Sequence, residues 1–187
     1  MSTPFFARQI DAHLAAYNND QSSSRRKRQA IVLKGAILTQ MKTALLTERD
    51  GLRTFVVVLS TGDEAVKALT AFATEHRLGA SQFTAIGALS RAVVAYFDWS
   101  TKQYRHLAID EQVEVLSLVG DITEDGTPKL HAHVVLGKSD GSACGGHLIE
   151  ASVRPTLEIV VTELPRHLHR RFDEESGLAL IDLDALG

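Results

Sequence analysis

Residues 130–148 read LHAHVVLGKSDGSACGGHL, which is two apolar segments joined by a polar turn. The first segment contains His131 and His133, and side chains two residues apart on a β-strand point to the same face. The polar turn, KSDGS, contains an Asp-Gly pair, which is typical of a hairpin connection. The second segment begins with Gly145-Gly146 and places His147 alongside the first. The sequence therefore predicts a β-hairpin that carries three histidines.

Convergence of the three histidines depends on the register of this hairpin. Counting outward from the Asp-Gly pair places His133 opposite residue 148, so an unbroken ladder would turn His147 to the other face. One extra residue in the second strand would correct this, and the glycine pair is a suitable place for such a β-bulge. We therefore expect a bulge at the two glycines and three imidazoles that meet on one face.

Three imidazoles that meet predict a metal site. Neutral imidazole is the commonest metal ligand in proteins. Three protein ligands leave one tetrahedral position open, as in catalytic or ligand-binding zinc sites. We predict a divalent metal, most simply zinc, bound by His131, His133 and His147. The alternative interpretation of a His-x-His pair is two ordinary half-buried histidines. Cys144 is expected to be a small buried residue and not a fourth ligand.

Composition indicates one globular domain with an appendage. The chain has 187 residues, of which 44% are hydrophobic and 23% charged. Its single cysteine excludes an internal disulfide and favours a reducing compartment. The sequence has no apolar run near the roughly 20 residues that a membrane span needs, and no secretory signal is recognisable at its start. We expect a cytoplasmic protein that does not enter the membrane.

Charge divides the chain in two. Residues 1–40 carry a net charge of +4 and contain a polar linker followed by the basic cluster RRKR at 25–28, whereas residues 41–187 carry a net charge of −7. We interpret 1–40 as an N-terminal extension, with a short helix over 5–16 and the cluster as a solvated tether. Contact of the cluster with phosphate or an acidic partner is the alternative. Residues 41–187 are expected to form the domain, including a C-terminal strand, and Met41 is a second candidate for the natural start.

The remaining pattern predicts many strands and one helix. A helix is expected between the capping residues at 61–64 and Leu78-Gly79. Segment 164–171 is expected to be an exposed loop. Besides the hairpin, apolar or alternating segments predict strands at 52–60, 83–89, 91–98, 104–109, 111–120, 157–162 and 178–183. Because helices do not alternate with these strands, we predict an α+β fold: a mainly antiparallel sheet with one principal helix packed on it.

Several short motifs together resemble one known family. They are TAIGAL (84–89), YFD (96–98), EVLSLVG (114–120), DG (125–126), LHAH (130–133), DG (140–141), GGHL (145–148) and TLE (156–158). In this order they resemble the PPC domain, the plants and prokaryotes conserved domain, over about residues 41–164. The resemblance implies a single α+β domain that assembles as a homotrimer and, as in some prokaryotic members, binds metal through the three histidines.

The resemblance also implies DNA binding as a function to consider, because plant PPC domains follow AT-hook motifs that bind AT-rich DNA. The AT-hook core Arg-Gly-Arg-Pro is absent here, and the domain is acidic overall. Neither property favours nucleic acid as a direct partner of the domain.

Three functions remain open at this point. The favoured one is a non-enzymatic trimeric module whose metal binds a small anionic ligand or a protein partner. The second is a metal-dependent enzyme of unknown substrate that uses a metal-bound water, with Glu114, Glu150 or Glu158 as the acid or base. The third is a DNA-associated regulator that acts through its basic N-terminal arm.

Overall fold

The computed structural model describes residues 41–186. The predictions for the N-terminal extension, namely its short helix, polar linker and basic cluster, fall outside the described residues. The strands and the helix that the structure contains are β1 (Lys42–Arg49), β2 (Leu52–Ser60), α1 (Ala65–His76), β3 (Ala80–Asp98), β4 (Gln103–Ile109), β5 (Val113–Asp125), β6 (Thr127–Gly137), β7 (Ala143–Glu163), β8 (Arg170–Asp173) and β9 (Leu178–Ile181). A 3₁₀-helix, Asp184–Leu186, follows β9.

Seven of these strands form one antiparallel sheet in the order β1-β2-β7-β6-β5-β3-β4. Strand β3 also pairs with β7, so β3, β5, β6 and β7 form a closed ring of pairings. Strands β8 and β9 form a separate two-stranded sheet. The prediction of a mainly antiparallel sheet with one α-helix is confirmed for residues 41–186. In this range no helix has the length and apolar character needed to span a membrane.

Strands β3 and β7 are longer than predicted. The sequence indicates two strands at 83–89 and 91–98, but the structure joins them into the 19 residues of β3. Strand β7 likewise merges the second histidine segment with 157–162 in 21 residues. Each long strand changes partner along its length, since the first part of β3 pairs with β5 and its end pairs with β4. Register shifts between β3 and β7 allow this without breaking either strand.

Helix α1 begins and ends through specific caps. The Glu64 carboxylate accepts hydrogen bonds from the backbone N–H groups of Val66 and Lys67, and also from that of Ala151 on β7. The helix ends at His76, because Arg77 adopts the left-handed conformation, and not at the predicted Leu78-Gly79. Its buried face joins the hydrophobic core through Ala65, Ala68, Leu69, Phe72 and Ala73.

Two strands were not predicted. Strand β1 pairs with β2 at the edge of the sheet and is mostly exposed, so its sequence lacks a clear apolar alternation. Strand β8 begins at Arg170, within the segment that was expected to be an exposed loop. This strand brings Arg170 next to His131.

Candidate metal centre

The three histidines converge on one face of the sheet. His131 and His133 project from β6, and His147 projects from the start of β7. One potential ligand nitrogen from each ring lies within 4.8 Å of the other two. The ring centroids are 5.1–5.4 Å apart. The predicted convergence is therefore present, and the three rings form what we call the histidine cluster.

The register that produces the cluster differs from the expected one. His133 lies directly opposite His147, and the ladder between β6 and β7 runs without a break from this pair to Gly137 and Ala143. The predicted bulge at the glycine pair is therefore wrong for this ladder. The connection has five residues, 138–142, closed by a hydrogen bond from Lys138 N–H to the Ser142 carbonyl. Because this connection has an odd number of residues, it shifts the register by one residue and places His147 opposite His133. The bulge had been expected to provide this shift.

The glycine pair has another role in the hairpin. A Cβ at position 145 would overlap the carbonyl oxygen of Val134 on β6. A Cβ at position 146 would lie 2.7 Å from the carbonyl oxygen of Ala95 on β3, which is closer than such atoms approach. The two glycines therefore let β7 pack closely between its neighbours at the point where His147 enters the cluster.

Two of the imidazoles are held in the neutral form. Burial, followed by the neighbouring charges of His131 and His133, lowers the pKa of His147 to about 4. Burial and the charge of His131 also lower the pKa of His133. Since only the neutral ring has a free lone pair for a metal, both residues are ready to bind one at neutral pH.

The cluster also contains a polar atom that lacks a partner. Nδ1 of His147 is buried, and no described residue hydrogen-bonds to it. A buried nitrogen without a partner is costly, and coordination of a metal by Nδ1 itself would remove that cost. The Tyr104 ring packs on His147 at a centroid distance of 5.1 Å and covers part of it. The donor set and the unpaired nitrogen both fit a divalent metal of borderline character such as zinc.

An aspartate beside the cluster was missed by the sequence analysis. Asp121 on β5 lies opposite His131 on β6, with 3.5 Å between Oδ2 of Asp121 and Nδ1 of His131. Burial acts to raise the pKa of Asp121, but hydrogen bonds and charge from His131 and Arg170 outweigh it and lower that pKa. Counting outward from the Asp125-Gly126 pair places residue 121 opposite residue 130, whereas the observed ladder is centred on Gly126 and pairs Asp121 with His131. The sequence therefore indicated this neighbour only to within one residue.

An arginine beside the cluster was also missed. Arg170, the first residue of β8, donates from Nη2 to both carboxylate oxygens of Asp121 at 2.8 and 2.9 Å. The same Nη2 lies 3.2 Å from Nδ1 of His131. The Arg170 side chain is only 14% exposed, so the prediction of an exposed loop is wrong at this residue. No local pattern indicates that this part of the chain returns to the histidines.

None of the predicted acid/base glutamates joins the histidine cluster. Glu150 forms an exposed ion pair with Arg91 at 2.9 Å. Glu158 lies in a shallow groove on the apolar sheet surface. Glu114 lies opposite Gly137, at the far end of the ladder from His131. Cys144 is partly buried against the core and is not a member of the cluster.

Comparison with known proteins identifies the family. Residues 46–165 match the model of the Plants and Prokaryotes Conserved (PCC) domain, so the chain belongs to the family that the sequence motifs indicated. Strands β8 and β9 lie beyond the matched residues. No curated protein matches the chain.

Solved structures give the same result. A candidate DNA-binding protein from Bacteroides thetaiotaomicron is 29% identical, with a TM-score of 0.70, and the match covers 76% of this chain and 98% of that one. A metal-containing protein from Archaeoglobus fulgidus is 37% identical, with a TM-score of 0.65 and coverages of 69% and 92%. A plant- and prokaryote-conserved protein from Pyrococcus horikoshii is 27% identical, with a TM-score of 0.65 and coverages of 81% and 97%.

Proposed function

We propose that this protein is a trimeric PPC-domain module that binds a divalent metal, most simply zinc, through His131, His133 and His147. The single observation that supports it best is the convergence of three imidazole nitrogens within 4.8 Å. The lowered pKa values of His133 and His147 and the unpaired Nδ1 of His147 support it further. The similar structure from Archaeoglobus fulgidus is that of a metal-containing protein.

The geometry favours a ligand-binding role over catalysis. A metal with three neutral imidazoles keeps its full positive charge and supplies a Lewis-acidic position for a small anionic ligand or for a side chain of a protein partner. Tyr104 covers one side of His147, whereas His133, which is only partly buried and is the most exposed of the three histidines, leaves the cluster open to solvent. The nearest carboxylate is Asp121, and Arg170 already engages both of its oxygens. Asp121 is therefore poorly suited to transfer protons.

Metal content tests this proposal. The full chain, purified without a histidine tag and dialysed against zinc, is expected to retain about one zinc per chain by elemental analysis. The His131→Ala/His133→Ala variant is expected to retain none, because one imidazole alone binds zinc weakly. Equal zinc content in both proteins would overturn the proposed function.

The trimer is supported by an apolar surface on the outer face of the sheet. Ile86, Leu116, Val119 and Val160 are 42–62% exposed and line a groove of about 430 Å³ together with Glu158. Exposed apolar surface of this kind marks a protein–protein contact, and further copies of this chain are the partners that the family resemblance implies. Glu158 would then lie at a subunit contact.

Light scattering checks the assembly. The wild-type chain is expected to have three times the monomer mass, and Ile86→Lys is expected to reduce it to that of the monomer, because a buried unpaired charge at the contact is costly. Tyr96→Lys is a matched control, since Tyr96 lies on the same strand, is 58% exposed and does not line the groove. A wild-type monomer, or a trimer that Ile86→Lys leaves intact, would contradict this assignment.

Nucleic acid is the second candidate partner. Two similar structures, from Bacteroides thetaiotaomicron and Ralstonia eutropha, are those of candidate DNA-binding proteins. Residues 41–187 carry a net charge of −7, which opposes contact with phosphate, so the basic cluster at 25–28 would supply the attraction. DNA retention that persists after deletion of 1–40 would exclude that cluster as its cause.

A further inference from the structure

We propose that the C-terminal hairpin, β8 and β9, sets the metal affinity of the histidine cluster. In this proposal Arg170 competes with the metal for His131, whereas Asp121 supports the metal-bound form. The inference rests on the proposed metal-binding function and adds its regulation by a segment beyond residues 46–165, which match the family domain.

The competition follows from the contacts of one nitrogen. Nη2 of Arg170 carries two hydrogens and has three acceptors within 3.2 Å, namely Oδ1 and Oδ2 of Asp121 and Nδ1 of His131. A guanidinium only donates hydrogen bonds. A hydrogen bond from Arg170 to Nδ1 therefore requires that Nδ1 carries no proton.

Arg170 and Asp121 select opposite tautomers of His131. When Nδ1 accepts from Arg170, the proton of the neutral ring is on Nε2, which then has no lone pair for a metal. Coordination through Nε2 needs the proton on Nδ1, where Oδ2 of Asp121, at 3.5 Å, is the available acceptor. A carboxylate in this position is the usual partner of a metal-bound histidine. Coordination through Nδ1 instead would require Arg170 to leave that nitrogen altogether.

The charges of Arg170 and Asp121 change the metal affinity in the same direction as the His131 tautomers that these two residues favour. The Arg170 guanidinium is largely buried, so water screens its repulsion of a bound cation only in part. The carboxylate of Asp121 compensates that charge and attracts the metal. Removal of Arg170 should therefore strengthen metal binding, and removal of the Asp121 charge should weaken it.

Hydrogen bonds fix Arg170 at one end of the hairpin, and the turn at the other end lies close to the β3–β4 turn. Nη1 of Arg170 donates to the carbonyl oxygen of Ala179 on β9 at 3.0 Å, which fixes the guanidinium to its own hairpin. At the other end, a Cβ added at Gly177 in the β8–β9 turn would lie 3.8 Å from Cβ of Lys102, so this turn lies close to the β3–β4 turn. The hairpin thus extends from Asp121 to the turn beside β4, the strand that carries Tyr104.

Arg171 provides a matched control. It follows Arg170 directly, but its guanidinium is directed to Asp182 and Asp184 at 3.3 and 3.1 Å, and its side chain is 66% exposed. Arg171→Met removes the same charge from the same strand without a contact to the histidine cluster. Arg170→Lys retains a cation and tests whether charge is the cause.

The experiment measures zinc affinity of the full chain by competition with a chelator. Arg170→Met is expected to bind zinc about tenfold more tightly than wild type, and Asp121→Asn about tenfold more weakly. Arg171→Met should match wild type, and Arg170→Lys should bind more weakly than Arg170→Met. The visible absorption of bound cobalt(II) should be the same in wild type and Arg170→Met, which shows an unchanged ligand set.

The expected increase in zinc affinity of Arg170→Met distinguishes this inference from a general loss of structure. General damage to the fold can only weaken metal binding, so a gain in Arg170→Met is not explained by it. Zinc affinity in Arg170→Met equal to or below that of wild type would overturn the inference while leaving the proposed function intact. A wild-type chain that binds no zinc would instead overturn the proposed function itself.

Discussion

Zinc is expected to stabilise the wild-type protein by about 4 kcal/mol when its free concentration is a thousand times its dissociation constant. The reason is that the histidine cluster is assembled from β6 and β7 only in the folded chain, so the metal binds the native state preferentially. His147→Ala should abolish this gain, because it removes the one ligand of the three that β7 supplies. Chemical denaturation with and without zinc measures the difference.

His106→Ala is the control for this prediction. His106 lies on β4, opposite Ala95, and is an exposed histidine that does not belong to the cluster. Its variant should keep the full zinc-dependent gain in the free energy of unfolding. If zinc stabilises His147→Ala as much as wild type, the metal binds somewhere other than at the three histidines.

Gly145→Ala is expected to destabilise the metal-free protein by about 3 kcal/mol. The added Cβ would overlap the carbonyl oxygen of Val134, a backbone atom that can move only if β6 moves away from β7. That movement would also separate His133 from His147, so the variant should bind zinc more weakly. Urea denaturation and a zinc titration measure the two effects.

Gly141→Ala in the same hairpin separates backbone strain from steric overlap. Gly141 has a φ of +84°, but a Cβ at this position would meet no atom within 4 Å. Its cost should therefore be only the roughly 1–2 kcal/mol of a left-handed residue with a side chain, and its zinc affinity should match that of wild type. Equal destabilisation by the two substitutions would contradict the role assigned to Gly145.

The hairpin shows how far the sequence determines the site. Alternation places His131 and His133 on one face, and the Asp-Gly turn indicates that the chain folds back; the structure contains both features. The register was inferred with an even-numbered turn, whereas the connection contains five residues. A one-residue error in the register changes the face of every side chain. In this prediction the assumed bulge compensated for that error, so the histidines were still placed on one face.

Contacts between residues that are far apart in the sequence were harder to predict. Asp121 could have been placed only to within one residue, because counting from the Asp125-Gly126 pair puts it opposite residue 130, whereas its partner on β6 is His131. Arg170 could not have been found from the sequence. It contacts His131, 39 positions away in the chain, and it does so from a hairpin that lies outside the main sheet. For the same reason the full length of β3 and β7 was not predicted. Each strand continues because its pairing partners change along its length, and no local sequence pattern indicates this.

The helix gives a third example of this limit. Helical periodicity places Val66, Leu69, Phe72 and Ala73 on one apolar face; the last three are buried in the structure, and Val66 is partly buried. Its end was placed at Leu78-Gly79 because glycine is the usual residue in the left-handed conformation. Arg77 adopts that conformation instead, with its N–H bonded to the carbonyls of Ala73 and Thr74.

In the proposed function, His131, His133 and His147 bind one metal ion together. Anomalous diffraction at the zinc absorption edge, from crystals of the tag-free protein grown with zinc, tests it most directly. We expect one peak per chain, with a nitrogen of each of the three histidines at about 2.0–2.1 Å from it. The absence of a peak there, or a zinc ion bound by fewer than three of these rings, would contradict the claim.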